Sequence, residues 1–98
     1  MDITVQELKE KINRKENLLI IDVREEWEFE EYNISGKLIP LATLPNHLEE
    51  LKEYKSKEVI IHCRSGKRSH QAKLFLESNG FENVRNLLGG MLEWQKTL

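Results

Sequence analysis

The run Leu18-Leu19-Ile20-Ile21-Asp22-Val23 constrains this chain more than any other stretch. A short, continuous apolar segment of this kind is the pattern of a central parallel strand covered on both faces. Val59 to His62 is a second such run. Helical patterns separate and flank the two. Thr4 can cap a helix with Glu7 at the capping-box position and Val5, Leu8 and Ile12 on one stripe, ending near Asn13 to Lys15. Glu25 to Tyr32 reads as a short helix, and Leu44 to Tyr54 as another, with Leu44, Leu48 and Leu51 at helical spacing. Leu38-Ile39 before Pro40 fits an edge strand. Lys67 to Ser78 reads as a helix stopped by Asn79-Gly80, with Ala72, Phe75, Leu76 and Asn79 on its inner face. Asn83 to Leu88 is then a short strand, Gly89-Gly90 a turn, and Met91 to Leu98 a terminal helix, with Leu88, Met91 and Trp94 expected in the core. Strands alternating with helices predict an α/β sheet with parallel crossovers, whose active sites form at the carboxyl ends of the strands. Asp22 and Cys63 both stand at such ends.

Length and charge narrow the function classes. At 98 residues the chain is expected to be one domain, residues 1–98, with no room for a separate cofactor domain. A formal net charge of −2 argues against general affinity for nucleic acid. No apolar run approaches membrane-spanning length and no signal-peptide pattern opens the chain, so a soluble, cytoplasmic protein without a membrane partner is expected. His47, His62 and His70 are scattered and do not form a metal-ligand spacing with the one cysteine.

That cysteine, Cys63, opens the run Cys63-Arg64-Ser65-Gly66-Lys67-Arg68-Ser69. A sole thiol has no internal disulfide partner, and a buried structural cysteine needs no such company of cations and glycine. The thiolate is the reactive form, and it is a minor species at neutral pH while the pKa stays near about 8.5. Lowering that value by roughly two units takes about 2.7 kcal/mol of preferential stabilisation of the charged form. A helix start, nearby cations and inward-facing loop N–H groups can supply it together. Gly66 lets the loop curl, and a helix follows. From Val59 to Leu76 there is no Asp or Glu, while Arg64, Lys67, Arg68 and Lys73 all fall there, so small anionic or thiol-like substrates are expected. Arg68, four before Ala72, lies inward and suits bracing the cradle, whereas Lys67 can face the mouth.

Four segments in order carry a resemblance to the single-domain rhodaneses over essentially the whole chain. They are Ile20-Ile21-Asp22-Val23-Arg24 with Glu28-Phe29, the loop from Cys63 to Ser69, Leu88-Gly89-Gly90, and Trp94. The resemblance implies a three-layer sandwich with a central, mostly parallel sheet and helices on both faces. It implies a sulfurtransferase in which Cys63 takes a sulfane sulfur from a small anionic donor such as thiosulfate, or from a persulfide, and becomes a persulfide itself. The sulfur then passes to cyanide or a thiol, with sulfur-carrier proteins as further partners and no metal or organic cofactor. Arg64 and Lys67 would meet the anionic donor, and N–H groups from Arg64 through Ser69, with the Ser65 or Ser69 hydroxyl, would hold the terminal sulfur. Asp22 and Arg24 either brace the active loop or cap local backbone. One departure from the family pattern is Asn33, which stands where histidine is usual and bears on the shape of the pocket wall.

Two other readings use the same residues. Cysteine phosphatases and arsenate reductases also set a thiolate in an anion cradle closed by an arginine, but the phosphatases resemble one another in having five residues between the two. Here there are four, a shorter ring of N–H groups better suited to a single sulfur atom. A non-catalytic module of this fold would usually lose the cysteine. The remaining notable residues have plain readings. His62 should point to the opposite face from Cys63, for packing or a surface hydrogen bond. Glu25, Glu26, Glu28, Glu30 and Glu31 read as a solvated helix face, or else as a surface that selects basic partner proteins.

Overall fold

In the computed structural model, which describes residues 1–97, side-chain alternation along the apolar runs divides the interior between two cores. Strands β1 (Leu19–Asp22), β2 (Lys37–Leu38), β3 (Glu58–His62) and β4 (Asn83–Asn86) form one sheet in the order β2-β1-β3-β4. Every pairing is parallel. Ile21, Val59, Ile61 and Val84 face one core, with Leu44, Leu51, Ala72 and Leu76. Ile20 and Ile60 face the other, with Leu8, Met91 and Trp94. Each fully buried Ile or Leu is worth about 1.5–3 kcal/mol, so register is set from both sides of the sheet.

The helices cover these two faces. On the second lie α1 (Val5–Asn13), capped by the Thr4 hydroxyl accepting from Glu7 N at 3.1 Å, and α5 (Gly90–Gln95). On the first lie α3 (Leu48–Leu51) and α4 (Lys67–Ser78), while α2 (Glu26–Glu31) follows the end of β1. The result is an α/β sandwich with a parallel central sheet and helices on both faces. Among the described residues no helix is long and apolar enough to cross a membrane.

Three expectations need correction. The helix read over Leu44 to Tyr54 is broken into a 3-10 segment at Leu41–His47, then α3, then a 3-10 turn at Lys52–Tyr54. Pro45 removes a backbone donor within the first piece, and His47, at φ −108° and ψ 4°, leaves helical geometry before α3. Leu44 and Leu51 are buried all the same and Leu48 packs against them, so the apolar spacing marked the right face but the wrong kind of turn. Leu88 is 48% exposed, because Leu87 takes the inward position at the strand end. The terminal helix stops at Gln95, and Leu98 lies outside the described residues.

The strand order fixes where a site can form. From β1 the chain crosses to β2 on one side, and later passes to β3 on the other, so the connections diverge at the carboxyl ends of β1 and β3. Such a divergence leaves an open crevice in a doubly wound sheet. Asp22 ends β1, and Cys63 directly follows β3.

Candidate active site

Cys63 leaves β3 almost wholly buried, at 1% exposure. Gly66 then takes φ 107°, a left-handed geometry that a side chain would strain, and caps α4 from there. The turn brings Gly66 N to 3.1 Å and Ser69 N to 3.4 Å from Cys63 Sγ, with Ser69 Oγ also at 3.4 Å. Burial pushes the thiol pKa up. Hydrogen bonds from the Ser69 hydroxyl and from the N–H groups of Ser69, Gly66 and Ser65 outweigh that, and the pKa falls below its ordinary value.

A loop that spends its N–H groups on sulfur must find donors for its carbonyls elsewhere. They come from α5. Met91 N donates to Cys63 O at 2.9 Å and Leu92 N to Arg64 O at 3.0 Å. This approach is what Gly89-Gly90 makes possible: a Cβ at Gly90 would lie 2.5 Å from Cys63 O and 2.6 Å from Arg64 O.

Arg68 is bound to α2 by two contacts, Nη1 to Glu28 Oε1 at 2.7 Å and Nη2 to Oε2 at 3.0 Å. Glu28 is therefore buried and paired and does not belong to the solvated face expected for it. The Arg68 hydrogen bonds hold its carboxyl at a pKa of about 2, against the smaller opposing effect of burial. Asp22 and Arg24 form a buried bidentate pair, with Nε to Oδ1 at 3.0 Å and Nη2 to Oδ2 at 2.8 Å. Asp22 Oδ1 also accepts from Arg24 N at 3.0 Å, and Arg24 Nη2 reaches Tyr32 O at 2.7 Å. The pair thus caps local backbone and ties the end of α2 to the end of β1.

Arg64, Arg24 and Arg68 share a cleft of about 700 Å³ with Glu25, Trp27 and Leu92. Lys67 lies in a separate hollow, with His70 and Leu88. The two cations expected to act together therefore sit on different sides of the loop. Asn33 lines a third hollow with Ile12 and Trp94, its Nδ2 donating to Phe29 O at 3.0 Å. His62 does point away from Cys63's core, but it is fully buried and neither ring nitrogen has a hydrogen-bond partner among the described residues. Desolvation lowers its pKa to about 4, so the imidazole is neutral at pH 7 beside Asp22 Oδ2 at 3.8 Å.

Asn86 is the site residue that sequence reasoning missed. It ends β4, its Nδ2 donates to Gly66 O at 3.1 Å, and its Oδ1 accepts from Ser69 Oγ at 2.5 Å. Its place just ahead of Leu88-Gly89-Gly90 was the available signal.

The family model for a rhodanese-like domain matches residues 4–97. A sulfurtransferase of Allochromatium vinosum is 32% identical over 97% of this chain and 88% of its own length. A Bacillus subtilis relative named for sulfur carriage is 37% identical over 95% of this chain, which spans only 50% of that protein. A tRNA uridine(34) hydroxylase from Cronobacter sakazakii is 34% identical over 80% of this chain, which spans only 24% of that protein. The crystal structure of a rhodanese-like domain protein from Staphylococcus aureus superposes with a TM-score of 0.85 at 36% identity, covering 96% of this chain and 91% of that one. In sequence and in fold, this chain belongs to the rhodanese-like domain family.

Proposed function

We propose that residues 1–98 act as one domain that carries sulfane sulfur from a donor such as thiosulfate or a persulfide to a thiophilic acceptor, through a persulfide on Cys63. The observation that carries this reading is the cradle: Gly66 N at 3.1 Å and Ser69 N at 3.4 Å from Cys63 Sγ, at the start of α4. In the first step the Cys63 thiolate attacks the outer sulfur of thiosulfate. The donor's S–S bond breaks, sulfite departs with the bonding pair, and a new S–S bond leaves Cys63 as a persulfide anion. In the second step cyanide or an acceptor thiolate attacks the terminal sulfur, and the Cys63 thiolate is expelled.

Inward N–H groups stabilise the sulfur anion at both stages. Arg64, which lines the cleft with Arg24 and Arg68, would receive the sulfonate group and the departing sulfite. Arg68 is already neutralised by Glu28, so its part is to hold α4 in place. Names of relatives, a sulfurtransferase among them, support sulfur transfer as the general role. A buried thiol stays free for this work in a reducing cytoplasm.

The test is to incubate the protein with thiosulfate and weigh it intact. A one-sulfur adduct that cyanide removes, and that Cys63→Ser lacks, supports the reading. No adduct, with turnover of an aryl phosphate in its place, sinks it in favour of a cysteine phosphatase.

A further inference from the structure

Ser69 is fully buried, and its Oγ lies between two acceptors, Asn86 Oδ1 at 2.5 Å and Cys63 Sγ at 3.4 Å. A hydroxyl has one proton to give. Which acceptor receives it depends on Asn86, whose amide is not free to turn over. Its Nδ2 donates to Gly66 O at 3.1 Å, and the reversed amide would set two carbonyl oxygens against each other. Asn86 is held on its backbone side as well, its N–H donating to Asp2 Oδ1 at 3.0 Å while Lys73 Nζ lies 2.8 Å from the same oxygen. With Oδ1 fixed towards Ser69, the shorter contact claims the proton. While Asn86 keeps that proton, the hydroxyl's pKa-lowering bond to the sulfur is forgone and the loop N–H groups alone favour the thiolate; Ser69 Oγ turns a lone pair to the sulfur, which suits an S–H donor and opposes a thiolate.

We propose that Asn86 is a positioning residue for the reaction centre: by holding the Ser69 proton on its own carbonyl, it makes Ser69 Oγ an acceptor for the Cys63 thiol and restrains thiolate formation in the resting protein. The proton reaches the sulfur only when Ser69 lets go of Asn86. The fixed N–H groups of Gly66 and Ser69 favour the thiolate, and Asn86 sets how far that tendency goes. A restrained thiolate is also less open to oxidation between turnovers. This proposal rests on Cys63 being the reacting thiol. The other charged or titratable groups around it are Arg64, Lys67 and Arg68 on the loop and α4, Arg24 beyond β1, Glu25 and Glu28 at α2, and His62 on β3. None of them is altered by substitution at 86.

The experiment follows the rate of Cys63 alkylation by iodoacetamide against pH, read by intact mass, which needs no sulfur donor. Asn86→Ala is expected to lower the apparent thiol pKa by about half a unit or more, since Ser69 can then donate to sulfur uncontested. Asn86→Asp is expected to raise it, and Asn86→Ala made in a Ser69→Ala background to produce no fall. An unchanged or raised value in Asn86→Ala overturns the proposal, and so does a fall that persists without the Ser69 hydroxyl, because that would be loosening of the loop. Should Asn86→Ala not fold, the infrared S–H band of the native protein below its thiol pKa decides. It is expected at lower frequency than a free thiol and to move up in Ser69→Ala; a free-thiol frequency in the native protein overturns the proposal. A missing thiosulfate adduct would sink the transfer reading and leave these outcomes untouched.

Discussion

Two helices begin beside the Cys63 loop and spend their first N–H groups differently. Helix α4 follows the loop in sequence, and Ser69 N, with Gly66 N just ahead of it, is aimed at the sulfur. Helix α5 arrives from the far end of β4, and Met91 N and Leu92 N are aimed at the carbonyls of Cys63 and Arg64. Both are unsatisfied helix-end donors of the same chemical kind. The difference teaches that one end stabilises charge on the reacting atom while the other satisfies the backbone that the first has left short of donors. An anion cradle is therefore only half built by the helix that follows it.

The largest effect comes from removing what α4 faces while leaving what α5 faces. Cys63→Ser should abolish sulfur transfer and leave the midpoint of thermal unfolding within a few degrees of the parent. An assay with thiosulfate and cyanide, run beside a melt, checks both halves, and residual transfer would break the division of labour. Gly90→Ala attacks the other end. The added methyl would meet two carbonyl oxygens, 2.5 and 2.6 Å away, in a backbone at φ 55°. A loss of about 2–3 kcal/mol in urea unfolding is expected. Wild-type stability would show that α5 is dispensable to the loop.

Acid should act on the fold through two groups, one buried and one paired. His62 has its folded pKa depressed from 6.5 to about 4, so the unfolded chain binds more protons between those values. Its contribution is full above pH 6.5 and is lost as the pH falls towards 4, on the order of 3 kcal/mol. Glu28, depressed from 4.5 to about 2, adds a second loss below pH 4.5 that loosens α4 from α2. Arg68 is about one-third exposed, so screening keeps this second loss nearer about 1–2 kcal/mol. Urea unfolding at stepped pH should show the two stages, and Glu28→Gln should erase the lower one; a flat profile from pH 7 to 4 would contradict the His62 assignment. The smallest effect concerns recruitment. Arg64→Ala should raise KM for thiosulfate about three- to tenfold with little change in kcat, and Lys67→Ala by less, since only Arg64 shares the cleft with Arg24 and Arg68. Equal effects would mean that the donor enters from both sides of the loop.

Local physics was legible in the sequence wherever one stretch of chain decides it. Helix α4 runs from Lys67 to Ser78 as its Gly66 start and Asn79-Gly80 stop imply, and Thr4 caps α1. The segment after β2 was not legible, because leucines at helical spacing fit mixed 3-10 and α turns equally well once Pro45 and His47 interrupt the ladder. Glu28 looked like one carboxylate among the five from Glu25 to Glu31, and its partner Arg68 is forty positions away. Asn86 was hidden for the same reason: its side chain acts on Ser69 and Gly66 only after the sheet has brought β4 beside β3. His62 was placed on the correct side of the sheet by alternation, but that neither ring nitrogen finds a hydrogen-bond partner among the described residues depends on the tertiary packing around it.

The dependence of the loop on α5 also sets an order of events at the ribosome. Cys63 and α4 emerge first, and the carbonyls of Cys63 and Arg64 wait for Met91 and Leu92 before the loop can close on itself. Until then the thiol stands beside an unfinished cradle. The nucleophile is thus armed by a helix that leaves the exit tunnel after it, which keeps a sulfur-reactive group quiet during the seconds when the chain is most exposed.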